Sequence, residues 1–484
     1  MIKVACLAVY VAVILYLGYT SMKRTKTFRG FFLANQAVGP WLTAFTYGTA
    51  YFSAVLIIGF AGKIGWSFGM ASLWIALGNT VIGTFLVWKL LGRRIMLVSQ
   101  KLNLHTMPEY LKWRYDSKFL KAYSAVCIFV FLIPYSASVY MGLSYLFQIN
   151  FNMPYEYVLL SMAVLTALYL TMGGYKAVTL VDIFQGTVMI AGILIMIGMF
   201  TQKAGGFSNI LAKLNSINPD LTSAVGPPGW LPIVALVFLT SVAPFAMPQL
   251  VQKFYGIKDD RSVKIGTIVA SLFALVITLG AYYSGTLTRV FISAGKYPAL
   301  FTNGKVAVDK LIPVMIRDFV PDLLAVIILL LVFAASMSTL AALVLVSSSS
   351  IVKDLYQGFF RKDTSERKLV LLMRVACLVA IVLSVLLAFE RPTIIVTMLS
   401  ISWGAVASVF LAPFVYGLLW KRATKLGAII SSFAGLGTTL VWYALSESTK
   451  QVPTIASAGM IVSLLVLPIV VGIESTLRRK PAAS

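Results

Sequence analysis

Apolar segments of about 18 to 25 residues recur from one end of this 484-residue chain to the other. That is the length a helix needs to cross the hydrocarbon core of a bilayer. In lipid every backbone N–H and C=O must be satisfied internally, so only helices and closed barrels can span. Runs this long and continuous select helices. About thirteen spans can be threaded along the chain, which leaves no room for a separate soluble domain. Composition agrees: 59% hydrophobic and 12% charged residues, with a mean hydropathy of +0.90, belong to an integral membrane protein. The expectation is one all-α membrane domain over residues 1–484, with the lipid bilayer as its solvent.

The net charge of +24 would suggest nucleic acid in a soluble protein, but its distribution says otherwise. With the N-terminus outside and the C-terminus cytoplasmic, roughly 29 of the 40 Lys and Arg fall on the cytoplasmic side. Lys23, Arg24, Lys26 and Arg29 follow the first span. Arg93, Arg94, Lys101, Lys112, Arg114, Lys118 and Lys121 fill the loop after the third. Lys253, Lys258, Arg261 and Lys264 mark a later inside loop, as do Lys353, Arg361, Lys362, Arg367 and Lys368. The charge therefore sets topology in the cell membrane, and nucleic acid is excluded as a partner. The first span lacks a small-residue cleavage site and reads as a retained helix.

Chemistry by side chains is also excluded. Cys6, Cys127 and Cys377 all fall in apolar spans and imply no disulfide or metal framework. The single histidine, His105, lies in a basic loop, so neither a Ser-His-Asp arrangement nor a histidine metal site can form. No phosphate-binding glycine pattern is present. The chain is not an enzyme, carries no cofactor, and any pumping must draw on an ion gradient.

What remains is a set of interruptions. The run Gly39 to Gly59 is apolar enough for a bilayer, yet its middle is dense in Thr46, Gly48, Thr49 and Ser53. Gly weakens a helix by about 1 kcal/mol relative to Ala, and Ser and Thr can substitute for lost backbone bonds. The seventh span carries Pro244 and Pro248, each without a backbone donor. Broken helices at spans two and seven are what a five-plus-five inverted repeat produces, and such pairs point to a midplane binding site. Residues 39–200 form the first repeat and 231–420 the second, leaving span one and residues 421–484 peripheral. The alternative for a small-residue stretch is a helix-packing face.

No span carries an ionisable residue at its centre, which argues against a carboxylate proton relay. Asp182 stands at the N-terminus of the sixth span, where an acid is electrostatically favourable. A hard monovalent cation can be held without an acid, by hydroxyls and by carbonyls freed at a helix break, in line with the oxygen preference of hard ions. Ser338 and Thr339 are adjacent on the ninth span, and Ala335 lies one turn before Ser338. Back-bonding to the preceding turn is the alternative for such a pair.

These residues resemble the sodium/solute symporter family over most of the chain. The matching pieces are Gly39-Pro40 with the Thr49–Ser53 break, Tyr169-Leu-Thr-Met-Gly-Gly-Tyr-Lys-Ala-Val178 with Asp182 and Gln185, and Met247-Pro-Gln-Leu-Val-Gln-Lys-Phe254. Met337-Ser-Thr-Leu340, Ser348 to Tyr356 and Trp420 to Ala428 complete them. The resemblance implies a thirteen-helix inverted-repeat fold working by alternating access. It implies a sodium site made by the carbonyls of Thr49, Phe52 and Ala335 and the hydroxyls of Ser338 and Thr339. It places Asp182 on the route by which the ion leaves, and Tyr51, Ser53, Tyr135, Thr240 and Trp403 around the solute. The proline branch has an Asp in place of Tyr51 and an aromatic gate in place of Pro244. The Thr49-Ala-x-x-Ser53-Ala54 run looks more like the branch handling pantothenate and other monocarboxylates. The implied activity is sodium-coupled import of a small organic solute such as a monocarboxylate. Proline or another amino acid, a proton-coupled variant and a non-transporting sensor are the alternatives.

Overall fold

The computed structural model describes residues 2–22, 32, 38–361, 363–446 and 451–479, with only the backbone of 2–4, 17, 18, 20–22, 169, 172–180, 478 and 479. The basic cluster at Lys23–Arg29 lies outside the described residues. Ten helical runs among those described are long and apolar enough to cross a membrane, and two shorter apolar helices span Ala5–Tyr16 and Tyr155–Leu168. The chain is a multi-pass membrane protein.

Helix α1 (Ile2–Met22) precedes the first interrupted span. There α2 (Pro40–Tyr51) stops, and after Phe52 and Ser53 a wide helical turn at Val55–Phe60 leads into α3 (Ala61–Phe68). The chain returns through α4 (Leu73–Thr80) and α5 (Arg93–Leu102) to the short α6 (Met107–Tyr115) and the long α7 (Lys118–Phe151). Side-chain caps start α6 and α7: Thr106 accepts from the Glu109 N–H and Ser117 from the Leu120 N–H, each meeting an orphan first-turn donor.

Helix α8 (Tyr155–Lys203) runs for 49 residues. Straight, it would be roughly 74 Å long, more than twice the bilayer core. Its start and its end nevertheless meet the same 291–322 segment. Asn150, just before it, donates to the Pro313 carbonyl, and Phe200 near its end packs on Phe291. Two apolar stretches, Tyr155–Leu168 and Val181–Lys203, lie along this run.

After α9 (Phe207–Ile217) comes the second interrupted span. Helix α10 (Trp230–Val242) gives way to a tight turn at Ala243–Phe245, and α11 (Pro248–Tyr255) follows. Then come α12 (Asp260–Thr286), α13 (Thr288–Phe291) and a two-stranded hairpin, β1 (Phe301–Thr302) with β2 (Lys305–Val306), antiparallel with Phe301 opposite Val306. Its turn residues Asn303 and Gly304 both have positive φ, 51° and 73°, as a tight hairpin of this hand requires. Helix α14 (Leu311–Phe319) leads to α15 (Asp322–Ser349), whose helical turns continue to Phe360. Helices α16 (Glu366–Glu390), α17 (Ile395–Leu419), α18 (Lys425–Leu445) and α19 (Val452–Arg479) complete the chain. The core is built on α15 and α17, buried over 78% and 94% of their apolar windows, whereas α18 is buried over only 28%.

Two lysines that the sequence places among solvated loop charges are buried instead. Lys121 Nζ lies 3.4 Å from Asp354 Oδ1, which also accepts from Thr106 Oγ1 at 2.8 Å. This ties the α5–α7 connection to the C-terminal end of the α15 run. Burial alone would raise the neighbouring Glu109 carboxyl. Instead His105, together with the Lys353 and Lys121 charges, brings it down to about 2. His105 thus holds the first turn of α6, its backbone N–H donating to Glu109 Oε2 at 2.9 Å. Lys253 on α11 is the second buried lysine.

Candidate functional site

The break after α2 is explained by where the next backbone donors go. The last helical bond runs from Phe52 N–H to Gly48 O, and Phe52 itself is extended, with φ −109° and ψ 117°. Ala54 N–H, the helical donor for Ala50 O, turns to Ser336 Oγ on α15 at 3.1 Å. Val55 N–H goes to Ser53 Oγ and Leu56 N–H to Ser53 O, away from Tyr51 and Phe52. With Thr49 O, whose helical donor would be Ser53 N–H beyond that last bond, four consecutive carbonyls lose their helical donors in the protein interior. Two hydroxyls, Ser53 and Ser336, hold the opened turn, which is how an interrupted span stays satisfied.

Thr339 reaches into that opening. Its Oγ1 lies 3.1 Å from Thr49 O, 3.3 Å from Ala50 O and 3.0 Å from Ala335 O on its own helix. Ser338 Oγ sits 2.9 Å from Thr49 Oγ1 and 2.7 Å from Asp182 Oδ1. A hydroxyl carries one proton, and a carboxylate only accepts, so the Ser338 proton belongs to Asp182. Thr49 then meets Ser338 with its own proton or turns it to Phe45 O, 2.8 Å away. Thr49, Ala335, Ser338 and Thr339 are thus brought together, all fully buried. Phe52 stands at the edge of the cluster, its ring stacked on Tyr51 at 4.3 Å. Asp182 is the acid that Ser338 meets. It is wholly buried, and its Oδ2 has no hydrogen-bond partner among the described residues.

The second break meets the first. Thr240 O has no helical donor, because four residues on stands Pro244. The Tyr51 hydroxyl donates to that carbonyl instead, at 2.6 Å. Beside this bridge lies a narrow cavity of about 30 Å³. All five expected solute-lining residues, Tyr51, Ser53, Tyr135, Thr240 and Trp403, line it, and none of its lining residues is charged. Trp403 stacks on Tyr51 at 5.9 Å and meets Tyr135 edge-on at 5.9 Å. Its Nε1, a donor only, has no partner among the described residues.

Two polar lining residues were missed from sequence, Asn79 and Tyr282. Asn79 Oδ1 accepts from Ser241 Oγ at 3.1 Å, and the Tyr282 hydroxyl is without a partner among the described residues. A lone amide in the apolar stretch Leu73–Thr80 was the available signal for Asn79. Nothing separates Tyr282 from its neighbour Tyr283 without the fold.

Paired helix breaks closing on a hydroxyl cluster and a cavity at membrane depth define a secondary transporter, not an enzyme. The family model described as the sodium:solute symporter family matches residues 31–435. The chain belongs to the sodium:solute symporter family. Among curated relatives, the osmoregulated proline transporter OpuE of Bacillus subtilis (strain 168) is 26% identical over 477 residues, covering 95% of this chain and 94% of the relative. The sodium/proline symporter of Escherichia coli (strain K12) is 26% identical, covering 90% of this chain and 86% of the relative. The sodium/pantothenate symporter of Haemophilus influenzae is 27% identical, covering 87% and 86%. Among solved structures, a Na+-coupled sialic acid symporter in a substrate-bound outward-open state shares the fold. Its TM-score is 0.79 at 19% identity, over 98% of both chains. A nucleobase-cation-symport-1 family transporter in a closed conformation superposes with a TM-score of 0.58 at 14% identity, over 93% of this chain and 96% of that one.

Proposed function

We propose that this chain couples sodium to the import of a small organic monocarboxylate, such as pantothenate or a related anion, by alternating access. The observation that carries the reading is the meeting of freed carbonyls at Thr49 and Ala50 with the Ser338 and Thr339 hydroxyls, one residue from an uncharged cavity. Sodium, a hard cation, takes oxygen ligands, and Thr49, Phe52, Ala335, Ser338 and Thr339 supply them. Asp182, bonded to Ser338, lies on the path by which the ion leaves toward the cytoplasm. The solute is held by Tyr51, Ser53, Tyr135, Thr240 and Trp403. An anionic solute fits a cavity that offers the Trp403 Nε1 and Tyr282 hydroxyl donors without an acid to repel it. Sodium bridging α2 and α15 stabilises the solute-binding conformation, and rocking of one helix bundle against the other opens the inside. The two inverted repeats are residues 39–200 and 231–420. The N-terminus lies outside and the C-terminus in the cytoplasm, as the excess of inner Lys and Arg supports.

Proline is the second reading, supported by the proline-transporting relatives. Uptake into proteoliposomes decides between them, with labelled pantothenate, other monocarboxylates and proline, under an inward sodium gradient against potassium. Sodium-dependent accumulation of a monocarboxylate is the expected result. Sodium-dependent proline uptake alone would transfer the assignment to proline, and uptake driven by protons without sodium would overturn the coupling.

A further inference from the structure

A small cavity near the C-terminal end of the α15 run collects unanswered oxygens. It measures about 10 Å³, room for about one water-sized body. Asp354 of that run lines it, together with Gln252 and Tyr255 of α11, the second half of the second broken span. All three side chains are wholly or almost wholly buried. Asp354 Oδ2, Gln252 Oε1 and the Tyr255 hydroxyl have no hydrogen-bond partner among the described residues. A buried polar atom left unpaired is rare, and three on one cavity call for a common cause.

Neighbouring donors are turned elsewhere. Gln252 Nε2 donates to Phe32 O at 3.0 Å, and the Thr106 hydroxyl donates to Asp354 Oδ1 at 2.8 Å. Ser349 and Ser350, also on the lining, donate to Val346 O and Ser347 O at 3.0 and 2.7 Å, which leaves them lone pairs to offer. His105, the other ionisable residue there, has its Nδ1 3.6 Å from Glu109. Lys121 Nζ meets Asp354 through Oδ1, from 3.4 Å, beyond the roughly 2.7–2.9 Å of a close charged hydrogen bond. The carboxylate is thus loosely paired through one oxygen and unanswered through the other.

We propose that this cavity is a second cation site, holding one sodium ion between α11 and the α15 run. The choice of ion rests on the sodium coupling proposed above. The place is separate: Asp354 stands 15 positions beyond Thr339, roughly 22 Å along a helix. Hard cations take oxygen ligands, and Asp354, Gln252, Tyr255, Ser349 and Ser350 all bring oxygen to the lining. A water donates to two oxygens at most, whereas a cation draws on all of them. A buried carboxylate is costly unless it is well paired, and an ion at Oδ2 completes what Lys121 leaves loose. Gln252 and Tyr255 come from one element and Asp354 from another. The site is therefore whole only while α11 stays packed on the end of the α15 run, and sodium bound there favours that closed arrangement.

The test is equilibrium binding of radiolabelled sodium to the purified full chain in nanodiscs at constant pH and ionic strength, with the melting temperature followed in parallel. Gln252→Leu/Tyr255→Phe should bind one sodium fewer per chain than the wild type. Thr339→Ala should lose a different ion, so that the three substitutions together lose two. Where the double variant does not fold, Tyr255→Phe alone removes a single oxygen and should weaken the same ion by roughly fivefold. An ordered water only predicts sodium number and affinity unchanged in these α11 variants, and that result overturns the inference. So does a lower melting temperature with the ion number intact, which would mean that the two side chains only pack. An ion lost in Thr339→Ala but kept in the α11 variants sinks this site and spares the first. The reverse pattern sinks the first and spares this one, and a wild type that binds no sodium sinks both.

Discussion

Thr339 is the residue on which the coupling argument is most exposed. Its single hydroxyl stands within 3.3 Å of three carbonyls, two of them freed by the α2 break. Thr339→Ala should raise the sodium concentration for half-maximal uptake tenfold or more and leave the order of preferred solutes unchanged, while Thr339→Ser restores coupling. Wild-type sodium kinetics in the Ala variant would remove the site. A second residue acts through protons. Asp309, beyond β2, is buried, and burial pushes its carboxyl up to about 6 although it accepts the Ile395 N–H at 3.2 Å and feels the Lys63 charge. The folded state thus holds this proton more tightly than the unfolded chain, whose carboxyl titrates near 3.8. Stability from this group is present at low pH and is lost as pH rises from about 4 through 6, by on the order of 2–3 kcal/mol. Melting curves from pH 4.5 to 7 should fall more steeply for the wild type than for Asp309→Asn; parallel curves would refute it. Residues of the first kind were legible, because hydroxyls and a Pro inside an apolar run stand out locally. Asp309, Lys253 and Lys121 were not, because their burial depends on partners far away in sequence.

At the scale of elements, the two interrupted spans work because other helices come close enough to hold them. A close backbone-on-backbone approach joins α3 and α12. A Cβ on Gly65 would lie 2.1 Å from the Gly285 carbonyl carbon, and one on Gly285 would lie 2.0 Å from Ala61 O. Backbone presses on backbone there, so no side-chain rotation can relieve an added methyl. Gly65→Ala should destabilise the protein by at least the usual 1–3 kcal/mol of overpacking, roughly. Gly437→Ala on α18, with no neighbour within 4 Å, should be neutral or slightly stabilising. Thermal melting of the two variants side by side checks this, and equal melting would mean that α3 and α12 can separate freely. The positions of both breaks were readable from Gly48, Thr49, Ser53, Pro244 and Pro248. Their meeting through Tyr51 and the Thr240 carbonyl was not, since it depends on how two spans 189 positions apart are oriented in the bundle.

For the molecule as a whole, the cavity sets a requirement. About 30 Å³ accommodates a few waters at most, far less than a carboxylic acid with a carbon skeleton. For the solute proposed above to bind here the lining must open, and Tyr51 and Trp403, stacked on each other, are the groups that would part. Because Ser53 lines the cavity while Thr49, one turn back, belongs to the hydroxyl cluster, the sodium and solute sites proposed above share the same opened stretch of backbone. Sodium that fixes this stretch lowers the ordering cost left for the solute, and binding free energies must then be reciprocal. The factor by which saturating sodium tightens the solute should equal the factor by which saturating solute tightens sodium. Ligands that bind only the folded state also stabilise it, by about 2.7 kcal/mol at a hundred times the dissociation constant. Sodium, but not potassium, should therefore raise the melting temperature of the purified transporter, and solute should raise it further only when sodium is present. Additive shifts, with solute acting equally in potassium, would mean that the two sites do not share the α2 break, and coupling would have to be carried by another element.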